Sequence, residues 1–171
     1  MAEEDETSLA ARVAELEERV IRLEGAAAER EQRPSTPDPD AFWVLEGLKV
    51  RVPQGAVVYS GTAPLPTGER FDWQMGATLD DLMDLDWAEL TDRLGALGHP
   101  VRLHLLQRIL AGARTVAELG DDESLGTTGQ LYHHLRQLVA AGWLESAGRG
   151  RYAVPGSRVV PLLAVLTAVW R

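Results

Sequence analysis

Apolar residues recur every three or four positions between residues 90 and 110: Leu90, Leu94, Leu97, Val101, Leu105, Ile109 and Leu110. This spacing predicts an amphipathic helix broken at Gly98-His99-Pro100, because proline fits best in the first turn of a new helical segment. Gly112 stops that segment. Thr115-Val116-Ala117-Glu118 has a hydroxyl at the cap and a carboxylate three residues on, the spacing of a capping box, and opens a short helix. Asp121 to Gly126 is polar and reads as a turn. Thr127 or Thr128 caps the next helix, whose apolar face is Leu131, Leu135 and Leu138 with Val139 beside them, and Gly142 ends it. Trp143 to Ser146 and Arg151 to Val154 then flank Ala147-Gly148-Arg149-Gly150, a glycine-rich hairpin loop. Val159 to Trp170 is almost wholly apolar, which predicts a helix buried on more than one side.

The first half of the chain has other periods. Leu9, Leu16 and Leu23 fall at heptad position d, and Val13, Val20 and Ala27 at a. Valine at a with leucine at d favours a parallel two-stranded coil. Arg12 and Arg19 at g would each face a partner's Glu17 or Glu24 at e. Arg33 to Asp40 holds three prolines in eight residues and reads as a semi-extended linker. Phe42 to Val52, Ala56 to Thr62 and Glu69 to Met75 read as three strands. Pro53-Gln54-Gly55 and Pro66-Thr67-Gly68 supply the turns. The expected fold class is therefore α+β. It comprises a coiled-coil helix over 7–30, a Pro-rich linker over 31–41, a small three-stranded antiparallel β-module over 42–79, and a winged helix-turn-helix domain over 84–171 that ends in a dimerisation helix.

Charge changes the picture in one respect. The formal net charge is −9, which looks wrong for a partner of DNA. Residues 1–86 hold 8 Lys/Arg and 19 Asp/Glu, a balance of −11, and residues 87–171 hold 9 and 7, a balance of +2. The acid thus lies away from the helix-turn-helix segment. A balance of +2 is still a weak electrostatic footprint, so binding is expected to depend on placed arginines and on dimerisation. The chain has no cysteine, which removes disulfides and thiolate metal sites. No run of eighteen apolar residues occurs, so no membrane span is expected. The acidic N-terminus argues against a secretory signal, and a cytoplasmic, nucleoid-associated location is the default expectation.

The helix expected after Gly126 carries Thr128, Gln130, Tyr132, His133, Arg136 and Gln137 outward. These are donors and acceptors of the kind that read base edges or hold phosphates. Arg149 and Arg151 suit phosphate or minor-groove contact beside it. The strings ALGHPVRLHLL and LYHHLRQLVAAGWL resemble the patterns of the ArsR-like winged-helix transcriptional regulators, over about residues 87–171. That resemblance implies a homodimer reading an inverted-repeat operator on double-stranded DNA. It places Thr127, Thr128, Gln130, Tyr132 and His133 toward bases or phosphates, with Arg149 and Arg151 in the wing. It also gives the terminal helix a dimerisation role, through Leu162, Leu163, Leu166 and Trp170, beside the coil residues Leu9, Val13, Leu16, Val20 and Leu23. Gly129 stands where the family pattern has a better helix former, and the cysteines of the family's metal sensors are missing.

Other chemistry is set aside on the same residues. His133 and His134 point about 100° apart on a helix and do not form a metal pair, and residues 159–170 contain no His or carboxylate. No nucleophile elbow, phosphate loop or dinucleotide fingerprint occurs. No cofactor, metal or catalytic residue is expected. Trp43, Tyr59, Phe71 and Trp73 are read first as the core of the β-module and second as the lining of a pocket for a small-molecule or protein effector. Asp80, Asp81, Asp84 and Asp86 are read as an exposed acidic face ahead of a cation site. The competing readings are an architectural DNA-binding protein with little sequence preference, and a scaffold in which the winged helix binds a protein.

Overall fold

The structure is a computed structural model that describes residues 12, 15–22, 24, 42–148 and 150–170. The chain divides into two units, Met1–Gly47 and Leu48–Arg171. In the first, residues 12, 15–22 and 24 are helical. The heptad residues Leu16 and Val20 are 60% and 50% exposed there. Leu9, Val13 and Leu23, three of the five coil positions expected to dimerise, lie outside the described residues.

The segment read as a first strand is a helix, α1 (Trp43–Arg51). Glu46 N–H donates to the Phe42 carbonyl and Val52 N–H to that of Leu48. As a sequence, Phe42 to Val52 reads as a strand whose alternation Gly47 interrupts. The same stretch is rich in Leu, Glu, Lys and Arg, with the acid early and the bases late, where a helix favours them. The β-module is accordingly a two-stranded hairpin, β1 (Ala56–Pro64) and β2 (Arg70–Thr78), paired antiparallel from Ala56 opposite Thr78 to Pro64 opposite Arg70.

The hairpin hands over to α2 (Leu79–Asp84) through a capping box in which Thr78 and Asp81 exchange bonds. Asp86 caps a 3-10 turn, Trp87–Leu90, and α3 (Thr91–Leu97) follows. Asp81 and Asp86 are therefore engaged in local caps. His99 Nδ1 accepts from Val101 N–H and starts α4 (Pro100–Leu110), with proline in its first turn as the sequence implied. α5 (Val116–Gly120) opens on the expected Thr115–Glu118 capping box. A 3-10 turn, Glu123–Leu125, leads to α6 (Thr128–Ala140). β3 (Glu145–Ser146) and β4 (Tyr152–Ala153) form the short hairpin, and α7 (Gly156–Val169) completes the described chain.

One core joins these pieces. Leu105, Leu106 and Ile109 of α4, Leu119 of α5, Leu125, and Leu131, Leu135 and Leu138 of α6 are all buried. Trp143, Leu144 and Val154 close it from the short hairpin, and Val159, Val160 and Leu162 from α7. The i, i+4, i+7 spacing on α6 turns one stripe inward and leaves the other faces to solvent. The hairpin β1–β2 packs on α7: Ala63 is buried, and Gly61 admits Val160 so closely that a Cβ there would lie 3.0 Å from its Cγ1.

Candidate nucleic-acid interface

The outward face of α6 starts at its cap. Thr127 Oγ1 accepts from Gln130 N–H at 3.4 Å, and Gln130 Oε1 accepts from Thr127 N–H at 2.9 Å. The turn before it needs Gly126, at φ +81°, where a Cβ would meet Gln130 Oε1 at 2.5 Å. Thr128, Gln130, Tyr132, His133 and Arg136 are exposed on the side opposite the buried leucines. Gly129 lies in the first turn and is exposed as well, so its lack of a side chain leaves the face open at that point. Arg136 Nε donates back to the Tyr132 carbonyl at 3.3 Å.

Two of the expected contact residues thus have a structural task as well. Thr127 and Gln130 cap α6, so the Gln130 side-chain oxygen is occupied although the residue is exposed. Gln137 is occupied too: its Oε1 accepts from Arg102 at 2.7 Å. Arg102 itself was not singled out in the sequence. It donates to the carbonyls of Ala96 and Gly95 at 2.5 and 2.8 Å, satisfying the end of α3 while holding the side of α6. The signal lay within GHPVR: Pro100 has no N–H to offer the Ala96 carbonyl, and the guanidinium two residues further on supplies the missing donor.

A second brace fixes α4 against the turn before α6. Asp122 accepts from His104 Nε2 at 2.8 Å, from Arg108 at 3.2 Å and from Ser124 N–H at 3.1 Å. The Ser124 hydroxyl, and after it His104, hold the Asp122 carboxyl down to about 2. Beside Arg102 lies a histidine cluster. The His99 and His134 rings are 4.7 Å apart, those of His133 and His134 are 5.6 Å apart, and the His134 Nδ1 atom is buried without a partner. Burial, and then the neighbouring His99, Arg102 and His133, push the His134 pKa below the ordinary imidazole value.

The short hairpin stands beside α5. Arg151 bridges to Thr115, and Tyr152 N–H donates to the Arg114 carbonyl at 2.7 Å, so the hairpin is pinned to the cap of α5. Arg151 is exposed; Arg149, its expected companion in the loop, lies outside the described residues. Glu118 sits close enough to Arg151 to feel its charge, although its own carboxyl is lowered chiefly by the Arg114 and Thr115 backbone N–H groups. Arg114 reaches the other way, to Glu69 at the turn of β1–β2.

The remaining expected site residues are distributed over α7 and the long hairpin. Leu162 is 1% exposed and belongs to the chain's own core, which removes it from the expected dimer contact. Leu163 and Leu166 are half-buried, and Trp170 is 78% exposed. Of the four aromatics of the β-module, Tyr59 and Phe71 pack against the core, Phe71 on Gly156, whereas Trp73 is 37% exposed and Trp43, on α1, 70% exposed. Among the described residues no helix is long and apolar enough to cross a membrane, and no cluster of three or more His, Asp or Glu is placed to hold a metal. Comparison with protein-family models and with the sequences of curated proteins yields no match.

Proposed function

We propose that this chain is a homodimeric, sequence-specific DNA-binding transcriptional regulator of the ArsR-like winged-helix type, acting without metal sensing. The observation that carries the reading is the division of α6. Three leucines anchor it, while hydroxyl, amide, imidazole and guanidinium groups stand exposed along the other side. A helix held this way, after a short helix and a tight turn, has the form of a major-groove reader. The hairpin with Arg151 beside it suits contact with phosphate. In this reading Thr128, Gln130, Tyr132 and His133 meet bases or phosphates. Arg136 and the two hairpin arginines bind the backbone, and Arg102 positions the helix.

The test is selection of bound duplexes from a random pool by the full chain, followed by titration at several salt concentrations. The reading expects an enriched inverted repeat with half-sites about one helical turn apart. Replacing Arg149 and Arg151 together by Ala should weaken binding to every sequence and reduce the salt slope by about 1 per lost phosphate contact. His133→Ala should instead blur the preferred site. Many weak, unrelated sites would favour an architectural protein. No binding at low salt, with a protein captured by the same face, would favour a scaffold, the reading to which the acidic first half lends weight.

A further inference from the structure

The backbone bonds at the two ends of the β1–β2 hairpin fix which way each peptide of β1 points. Leu65 N–H donates to the Glu69 carbonyl at 2.8 Å, and Leu79 N–H donates to the Gly55 carbonyl at 3.0 Å. In the register of the sheet these are opposite pairs, and both fall on odd numbers in β1's frame. Hydrogen-bonded pairs alternate along an antiparallel ladder. Val57, Tyr59, Gly61 and Ala63 therefore direct their N–H and C=O groups to β2. Ala56, Val58, Ser60 and Thr62 direct theirs away from it, to the free edge, and Pro64, which has no N–H, falls on the same side. Among the described residues nothing pairs with that edge.

The edge borders a groove of about 470 Å³, lined by six consecutive residues of β1, Val58 to Ala63, and by Val160, Leu163, Ala164, Thr167 and Ala168 of α7. Consecutive residues line a strand's edge; a face would show alternate ones. Exposed edges are ordinarily blunted by charge or bulges. β1 (AVVYSGTAP) carries no charge at all, whereas β2 carries Arg70 and Asp72.

We propose that this edge docks on the same edge of a second copy of the chain, giving a continuous four-stranded antiparallel sheet with its two-fold axis at Ser60. The occupant follows from self-complementarity. Centred on Ser60, all nine residues of β1 find an opposite. Val58 meets Thr62 of the second copy, and Ala56 N–H meets the Pro64 carbonyl; the Ala56 carbonyl, at the strand's end, receives no bond because Pro64 has no N–H. Tyr59 lies opposite Gly61 of the second copy on the α7 side, where each Gly61 is already covered by its own chain's Val160. An uncharged strand lets two copies of a chain of net charge −9 approach without local repulsion. The rotation brings the groove walls of the two α7 helices, with Ala164 and Ala168, to the same side of the sheet. The inference rests on the homodimer part of the proposed function and names its surface.

Amide hydrogen exchange and sedimentation equilibrium of the full chain test it together. The Val58, Ser60 and Thr62 amides should be protected in the dimer and lose protection on dilution to monomer. Ser60→Pro removes an outward N–H without touching the β1–β2 ladder, and should raise the dimer dissociation constant roughly tenfold or more. Ser60→Lys and Ser60→Asp should each weaken the homodimer, and an equimolar mixture should restore association. A dimer whose three amides exchange freely would overturn this surface and leave the dimer reading standing. A monomer at all concentrations would overturn both. Protection that ignores concentration would mean that the chain covers its own edge, and would also overturn the proposal.

Discussion

Arg102 is the residue on which the candidate reading helix most depends. Its guanidinium ties two carbonyls of α3 to Gln137 of α6. Arg102→Ala should cost about 2 kcal/mol in urea unfolding, because charge-assisted bonds are lost and the Ala96 carbonyl, which faces Pro100, is left short of a partner. Arg102→Lys should restore only part of this, since an ammonium lacks the planar fork. Thr127→Ala removes one half of a capping box and should cost about 1 kcal/mol. Two titrations within the braced region bear on stability in acid. His134 is held below its usual 6.5. Its neutral form fits the fold, so the associated stability is complete above 6.5 and declines as pH falls below it. Asp122 is held near 2 against an ordinary 3.8; its share persists until pH drops through 3.8 toward 2 and is then lost. His134→Leu should abolish the first decline, read from urea midpoints on either side of 6.5, and leave the second, read from midpoints on either side of 3.8.

At the scale of elements, the N-terminal helix can be tested apart from the rest. Leu16 and Val20 are apolar and exposed on their helix, so glutamate at Leu16 and Leu23 should lower dimer affinity; unchanged mass and DNA affinity would refute an intermolecular coil. Much of the second half was legible in the sequence. Pro100, the Thr115–Glu118 box, the Thr127 cap and the three leucines of α6 are local signals, and each acts within a turn of its own backbone. α1 was not legible, because nine residues with an interior glycine fit either period. Leu162 was misplaced because an all-apolar helix does not say which flank its own chain will cover; the core covers Leu162 and the long hairpin covers Val160. The edge of β1 was legible only once the register was known, since direction of the peptide groups depends on which residues pair.

For the whole molecule, the balance of charge shapes the expected binding. The second half carries a balance of only +2, and Glu118 offsets part of the Arg151 charge. Affinity should therefore fall with salt along a shallow slope, and dimer formation should contribute more than bulk electrostatics. A dimer-breaking variant such as Ser60→Pro should then bind a single half-site with its preference intact but with affinity reduced by about a hundredfold or more. The most direct test of the central claim is the sequence preference of the full chain against that of the Tyr132→Ala, His133→Ala variant, both selected from one random DNA pool. The account predicts a defined inverted repeat for the wild type and a degraded or shifted motif for the variant, with comparable thermal stability. An identical motif from both proteins, or no enrichment from either at low salt, would contradict it.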